Sequence, residues 1–154
     1  MQRTFMARAI ALSVQNVGVG GGPFAAVVVR DGEIVAEGVN SVTTENDPTA
    51  HAEIMAIRAA CKKLQTFDLA GCEIYTSCEP CPMCLGAIYW ARAACVFFAN
   101  GAADAAKFGF DDAFIYAEIP RARADRKIPM IQGMREEALA AFAAWEKKNN
   151  KIQY

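Results

Sequence analysis

The chain of 154 residues has one histidine, two tryptophans, a net charge of only −1, and no apolar run long enough to span a bilayer. The near balance of charge argues against a protein built to grip a nucleic-acid backbone, which would carry an excess of lysine and arginine. The missing long apolar run argues against a membrane helix. At the N-terminus, MQRTFMARAIALSVQNVG has an apolar centre too short for a secretory signal and no small-residue cleavage site after it. Its two arginines and lack of acids faintly resemble a transit peptide. However, Met6, Ile10, Val14 and Val17 share one helical face, which predicts a first core-packing helix instead. No repeat, linker or low-complexity stretch divides the chain, so a single domain over 1–154 is expected, in the cytoplasm, where thiols stay reduced.

What is present suits that size. Hydrophobic residues make up 54% of the chain, enough to bury a core without disulfides. Strands are predicted at Phe24–Val29 and Ile34–Val39 around an Asp31-Gly32 turn, then at Glu73–Ser77, Cys95–Ala99 and Ile128–Ile131. Between them, Asp47 and Pro48 read as the cap and first position of a helix carrying Ile54, Ile57, Cys61 and Leu64 on one stripe. Further helices are predicted over Cys81–Ala91, Asp111–Glu118 and Arg135–Lys148. The alternation implies an α/β protein, a three-layer αβα sandwich around a mixed five-stranded sheet. The glycines Gly18, Gly20, Gly21 and Gly22 follow a helix and precede a strand, the reverse of a dinucleotide fingerprint, and read as a flexible connection.

The densest chemistry lies in Thr76-Ser77-Cys78-Glu79-Pro80-Cys81-Pro82-Met83-Cys84. Three cysteines at a spacing of three resemble the start of a ferredoxin motif, but the fourth cysteine and its proline are absent. A redox Cys81-x-x-Cys84 dithiol remains open on spacing alone. His51 tilts the balance toward zinc. It precedes Glu53 in DPTAHAE, and two successive strand-to-helix units would bring it to a helix N-terminus beside that of Cys81 and Cys84. Helix N-termini favour thiolates. One imidazole and two thiolates supply three ligands to Zn²⁺ and leave the fourth position open, as catalytic sites do. Cys78 is expected to stand outside the metal shell. Cys61, Cys72 and Cys95 read as small core residues. Together His51-Ala52-Glu53 and Pro80-Cys81-Pro82-Met83-Cys84 form the H-x-E and P-C-x-x-C signature of zinc deaminases, in which the glutamate is the general acid and base.

Over nearly its whole length the chain resembles the bacterial guanine deaminases of the cytidine/nucleobase deaminase superfamily. The resemblance is carried by GGPF, DGEIVAEGVNSVTTENDPTAHAEIMAIR, YTSCEPCPMCLGAIYWAR and GFDDAFIY. It implies a cytidine deaminase-like fold, one zinc per chain, and hydrolysis of guanine to xanthine and ammonia. In that reading Glu53 takes a proton from water, then delivers protons to a ring nitrogen and the leaving amine. The resemblance also assigns base binding to Asn40 and Asp112; Phe24 and Trp90 are aromatic candidates either for stacking on the base or for core packing, and Ala52 is counted with the substrate-binding residues. It further implies a homodimer in which the segment from about 135 to 154 crosses to the partner and Tyr154 covers the base.

Three alternatives accompany this reading. Ala25 stands where family members commonly have glycine, so the strand beside the base is expected to approach it less closely, which bears on purine selectivity; related branches act on isocytosine, cytosine or triazines. A tRNA adenosine deaminase shares both metal motifs, but Arg121, Arg123, Arg126 and Lys127 are diluted by Asp125 and alanines. A zinc-stabilised interaction module would need no Glu53 at all.

Overall fold

In a computed structural model describing residues 1–153, β1 (Ala25–Arg30) and β2 (Glu33–Val39) pair antiparallel. Asp31 and Gly32 turn the chain with φ of 54° and 78°, the double left-handed geometry that matches strand twist in a two-residue hairpin. β3 (Glu73–Cys78) runs antiparallel on the other side of β1, and β4 (Cys95–Asn100) lies parallel to β3. The order is β2-β1-β3-β4, a mixed sheet of four strands. The expected fifth strand at Ile128–Ile131 is irregular chain. Pro129 has no N–H to give a ladder, and Gly133 follows closely.

Strand alternation divides the core into two layers. Val27, Val29 and Tyr75 point to one face and meet Phe5, Met6 and Ala9 of α1 (Arg3–Gly18). Tyr75 is fully buried and makes ring contacts with Phe5 at 5.4 Å and Phe97 at 4.8 Å. Such pairs contribute about 0.5–1.5 kcal/mol each beyond area burial. Ala26, Val28 and Ile74 point to the opposite face. There, after the single turn α2 (Val42–Glu45), the helix α3 (Ala52–Leu64) supplies Ala52, Ala56 and Ala60. The next helix, α4 (Pro82–Ala91), adds Ile88 and Ala91. The three-layer αβα arrangement follows directly.

The buried stripe of α1 is Phe5, Met6, Ala9, Ser13 and Asn16, offset from the expected one, so Ile10, Val14 and Val17 are exposed. A hydrophobic count favoured the more apolar stripe, whereas the helix turns inward a row ending in serine and asparagine. α3 begins four residues later than Pro48. The Asp47 carboxylate accepts from the Thr49 N–H and hydroxyl, closing a local turn, and His51 takes the capping position. Cys72 is buried as expected, Cys61 is half-buried, and Cys95 is exposed on the edge strand.

Gly38 explains how closely α3 lies on the sheet. A Cβ there would fall 2.3 Å from both the Ala52 carbonyl and the Ala56 nitrogen. Only glycine allows β2 to approach the first turn of α3, where His51 and Glu53 sit.

The chain divides into two compact units, the first covering Met1–Ala113 and the second starting at Phe114. The first also holds α5 (Ala102–Lys107), in a segment for which the sequence predicts no element. Asp104 signals its start by accepting from the Gly101 N–H at 3.2 Å. In the second unit, α6 (Ala113–Glu118) leads through a short 3₁₀ turn at Arg123–Asp125 to α7 (Arg135–Glu146). Every described residue from 127 onward is exposed. No helix among the described residues is long and apolar enough to cross a membrane.

Candidate metal and substrate site

Two helix starts converge at the C-terminal ends of the strands. His51 caps α3 and Cys81 caps α4, both with extended backbone, and Pro82 occupies the first position of α4. Cys84 follows one turn later and faces inward with Ile88 and Ala91. His51 Nδ1 lies 3.5 Å from Cys81 Sγ and 3.6 Å from Cys84 Sγ. A tetrahedral zinc with bonds of about 2.3 Å to sulfur and about 2.0–2.1 Å to nitrogen separates those atoms by about 3.5 Å. The spacing fits a single zinc.

The electrostatics agree with the spacing. Hydrogen bonding from Cys84, with further help from His51, lowers the Cys81 pKa to about 4, so a thiolate is present at neutral pH. The same pairing, together with burial, pushes Cys84 up, so the two sulfurs share one proton. Chiefly through the Cys81 sulfur, His51 is raised above the usual histidine value. A divalent cation replaces the shared proton and satisfies both sulfurs. Cys78 is different in kind. Its sulfur contacts the Gly101 carbonyl at 4.0 Å, and burial pushes its pKa up to about 11, keeping it a thiol. Among the described residues, His51, Cys81 and Cys84 form the group whose ligand atoms lie close enough together to hold one metal ion.

Glu53 occupies the second position of α3 and is 6% exposed. Its Oε1 accepts from the Thr76 hydroxyl at 3.0 Å. Burial raises its pKa, opposed by hydrogen bonds from its own backbone, Cys84 and Thr76. Thr76 gave no sequence signal as a functional residue. It is an inward β3 position whose hydroxyl fixes the rotamer of a buried acid.

A cavity of about 910 Å³ opens over these groups, lined by Phe24, Asn40, His51, Ala52, Glu53, Cys81 and Asp112. Seven of the ten expected site residues therefore meet at one place, with Cys84 in the ligand cluster behind them. Phe24 meets Phe110 edge-to-face at 4.9 Å. Asp112 is raised above the usual aspartate value, first by burial and then by the Cys81 charge, while neighbouring Asp111 caps the Ala113 N–H. Trp90 is not among the lining residues. It is off the Cys84, Ile88, Ala91 stripe of α4 and two-thirds exposed. Tyr154 lies outside the described residues. Ala25 is fully buried, with its N–H donated to Ser77 Oγ at 3.0 Å, so the departure from glycine does not narrow the cavity. α5 and its flanks add Asn100, Asp104, Phe108 and Phe110 to the lining.

Residues 1–100 match the family model of the cytidine and deoxycytidylate deaminase zinc-binding region. The chain belongs to this deaminase family. It is 57% identical over 152 residues to guanine deaminase of Bacillus subtilis (strain 168), covering 98% of this chain and 97% of that one. The X-ray structure of guanine deaminase from Bacillus subtilis superposes with a TM-score of 0.97 at 55% identity, covering 100% of this chain and 99% of that one. Similarity to the tRNA-specific adenosine deaminase of Aquifex aeolicus (strain VF5) is 47% over 76 residues, about half of each chain. As a deaminase of this family the protein is a zinc enzyme, and the cluster of His51, Cys81 and Cys84 fits one metal.

Proposed function

We infer that the chain hydrolyses guanine to xanthine and ammonia. The observation that carries this is likeness to guanine deaminase along essentially the full chain, whereas likeness to the tRNA-specific adenosine deaminase of Aquifex aeolicus spans about half of it. The cavity supports it. Glu53, Glu79, Asp104, Asp111 and Asp112 line it, and no lysine or arginine does. Such a mouth repels phosphate and suits an uncharged base.

His51, Cys81 and Cys84 would hold zinc, which would supply a Lewis acid that lowers the pKa of water. Glu53 takes one proton from water and gives it to a ring nitrogen as the C–O bond forms, then takes the remaining hydroxyl proton and gives it to the departing amine. The C–N bond breaks as the new C–O bond is kept. Thr76 holds the carboxylate in place throughout. Asn40 offers a carboxamide with both donor and acceptor to the purine edge, and Asp112 accepts from purine N–H groups. Phe24, braced by Phe110, gives an apolar ring for the base, and Ala52 completes the wall.

We further propose a homodimer with exchange of the segment from about 135 to 154. Leu139, Phe142 and Trp145 of α7 are all exposed, and an amphipathic helix of this composition gains stability by covering them. Tyr154 then closes over the base. Deleting Tyr154 should lower kcat/KM for guanine by about tenfold, the scale of one lost aromatic stacking contact, with zinc content unchanged. Unaltered kinetics would remove the tail from the site. A reducing compartment keeps Cys81 and Cys84 as thiols and thiolates, the ground for placing the enzyme in the cytoplasm.

Ammonia release from guanine, isocytosine, cytosine, adenine, guanosine and tRNA at equal concentration tests the substrate directly. Guanine should be fastest. Faster release from isocytosine, cytosine or tRNA would reassign the chain to another branch.

A further inference from the structure

α1 ends in an asparagine that sequence patterning passes over. Asn16 is 7% exposed and does not line the cavity. Its Nδ2 donates two hydrogen bonds of 2.8 Å, one to the Gly22 carbonyl and one to the Asn40 carbonyl. Its own carbonyl accepts from Val19 at 3.2 Å and Gly21 at 2.9 Å. One residue therefore joins the end of α1, the glycine loop and the end of β2.

The glycines are what let this joint close. A Cβ on Gly21 would lie 2.3 Å from Asn16 Nδ2, and one on Gly22 would lie 2.9 Å from Asn40 Oδ1. The loop read from sequence as a flexible connection is instead folded tightly onto two carboxamides. Phe24 belongs to the same joint, since its N–H donates to Gly22 at 2.8 Å and its carbonyl accepts from Asn40 at 3.0 Å. Among the described residues, Asn40 Oδ1 accepts a long bond of 3.4 Å from the Val42 N–H. The direction of the Asn40 side chain is therefore set largely by its backbone, and Asn16 holds that backbone.

We propose that Asn16 is a positioning residue for base recognition: through the Gly22 and Asn40 carbonyls it fixes where the Asn40 carboxamide and the Phe24 ring meet the substrate. This rests on the assignment of guanine binding to Asn40. Aspartate at position 16 has nearly the same shape, but it lacks both N–H donors and sets a carboxylate against two carbonyl oxygens. Gly22→Ala disturbs the same joint from the other side, pressing on Asn40 while Asn16 is intact.

The test measures kcat, KM for guanine and zinc content on the zinc-loaded wild type, Asn16→Asp, Gly22→Ala, Asn40→Ala and the Asn16→Asp/Asn40→Ala double variant. Asn16→Asp and Gly22→Ala should each raise KM about tenfold, the scale of a lost buried hydrogen bond, with zinc content unchanged and kcat altered far less. In the Asn40→Ala background, Asn16→Asp should add much less than it does alone, because the group it positions is gone. A fall in kcat at unchanged KM, or a full multiplicative loss in the double variant, would overturn the proposal. Should Asn16→Asp fail to fold, Gly22→Ala decides: an unchanged KM overturns it. If Asn40→Ala leaves KM unaltered, the recognition role of Asn40 falls and the clamp with it. If Asn40→Ala raises KM while Asn16→Asp does not, the clamp alone is wrong.

Discussion

Glu53→Gln should keep its zinc, keep its fold and lose turnover by roughly 10²- to 10⁴-fold, the contribution of a positioned acid–base group. Glutamine preserves the side-chain volume and retains an oxygen to accept from the Thr76 hydroxyl, now at 3.0 Å from Glu53. What it removes is the ability to take a proton from water and give one back. Both halves of the reaction need that exchange, so the loss should appear in kcat rather than in KM. Stability should move the other way or not at all. Glu53 is 6% exposed, and placing a carboxylate there costs desolvation that an amide avoids. An unchanged or higher Tm beside a collapsed kcat would show a residue retained for chemistry and not for folding. Full turnover by Glu53→Gln would remove Glu53 from the acid–base role.

How much of this was legible in the sequence depended on whether the signal was local. His51, Glu53, Cys81 and Cys84 stand out because metal ligation and proton transfer demand particular side chains at short spacings. The hairpin at Asp31-Gly32 is equally local, since its two positive φ angles need permissive residues. Errors came where the outcome depended on distant packing. Val14 and Val17 advertised the wrong face of α1, because the inward row carries Asn16, whose amide finds partners 6 and 24 residues away. The strand expected at Ile128–Ile131 does not form, and Pro129, which has no N–H for a ladder, weighs against it. α5 gives no sequence signal because GAADAAK has too little apolar character to show periodicity.

The substrate-facing residues fall between these cases. Asn40 and Asp112 are assigned through resemblance and Phe24 by its aromatic ring; the structure brings them to one cavity with His51 and Cys81. Thr76 was invisible in that role because a threonine inside a strand is unremarkable until the buried carboxylate opposite it is known. The exposed position of Trp90 follows from helical phase. Cys84, Ile88 and Ala91 share the inward stripe, and residue 90 is turned well away from it.

His51→Ala and Cys81→Ala should each lose most of the zinc, and with it essentially all deaminase activity. Three ligand atoms lie within 4.8 Å of one another, and removing one leaves two, too few to hold the metal against buffer and chelator. The effect extends to the fold. A cation bound to the native state and not to the unfolded chain stabilises by mass action, so these variants should melt lower than zinc-loaded wild type. Stripping zinc from the wild type with a chelator should reproduce that drop. In the stripped protein Cys81 keeps a thiolate, its pKa lowered to about 4 by Cys84 and then His51, so rebinding zinc should release the proton that the two sulfurs share. Cys78→Ala is the informative control, because its sulfur is a thiol with pKa pushed up to about 11 and lies outside the ligand cluster. It should retain one zinc per chain. If Cys78→Ala instead loses the metal, a third sulfur fills the fourth position, the open coordination site disappears, and Glu53 has no water to act on.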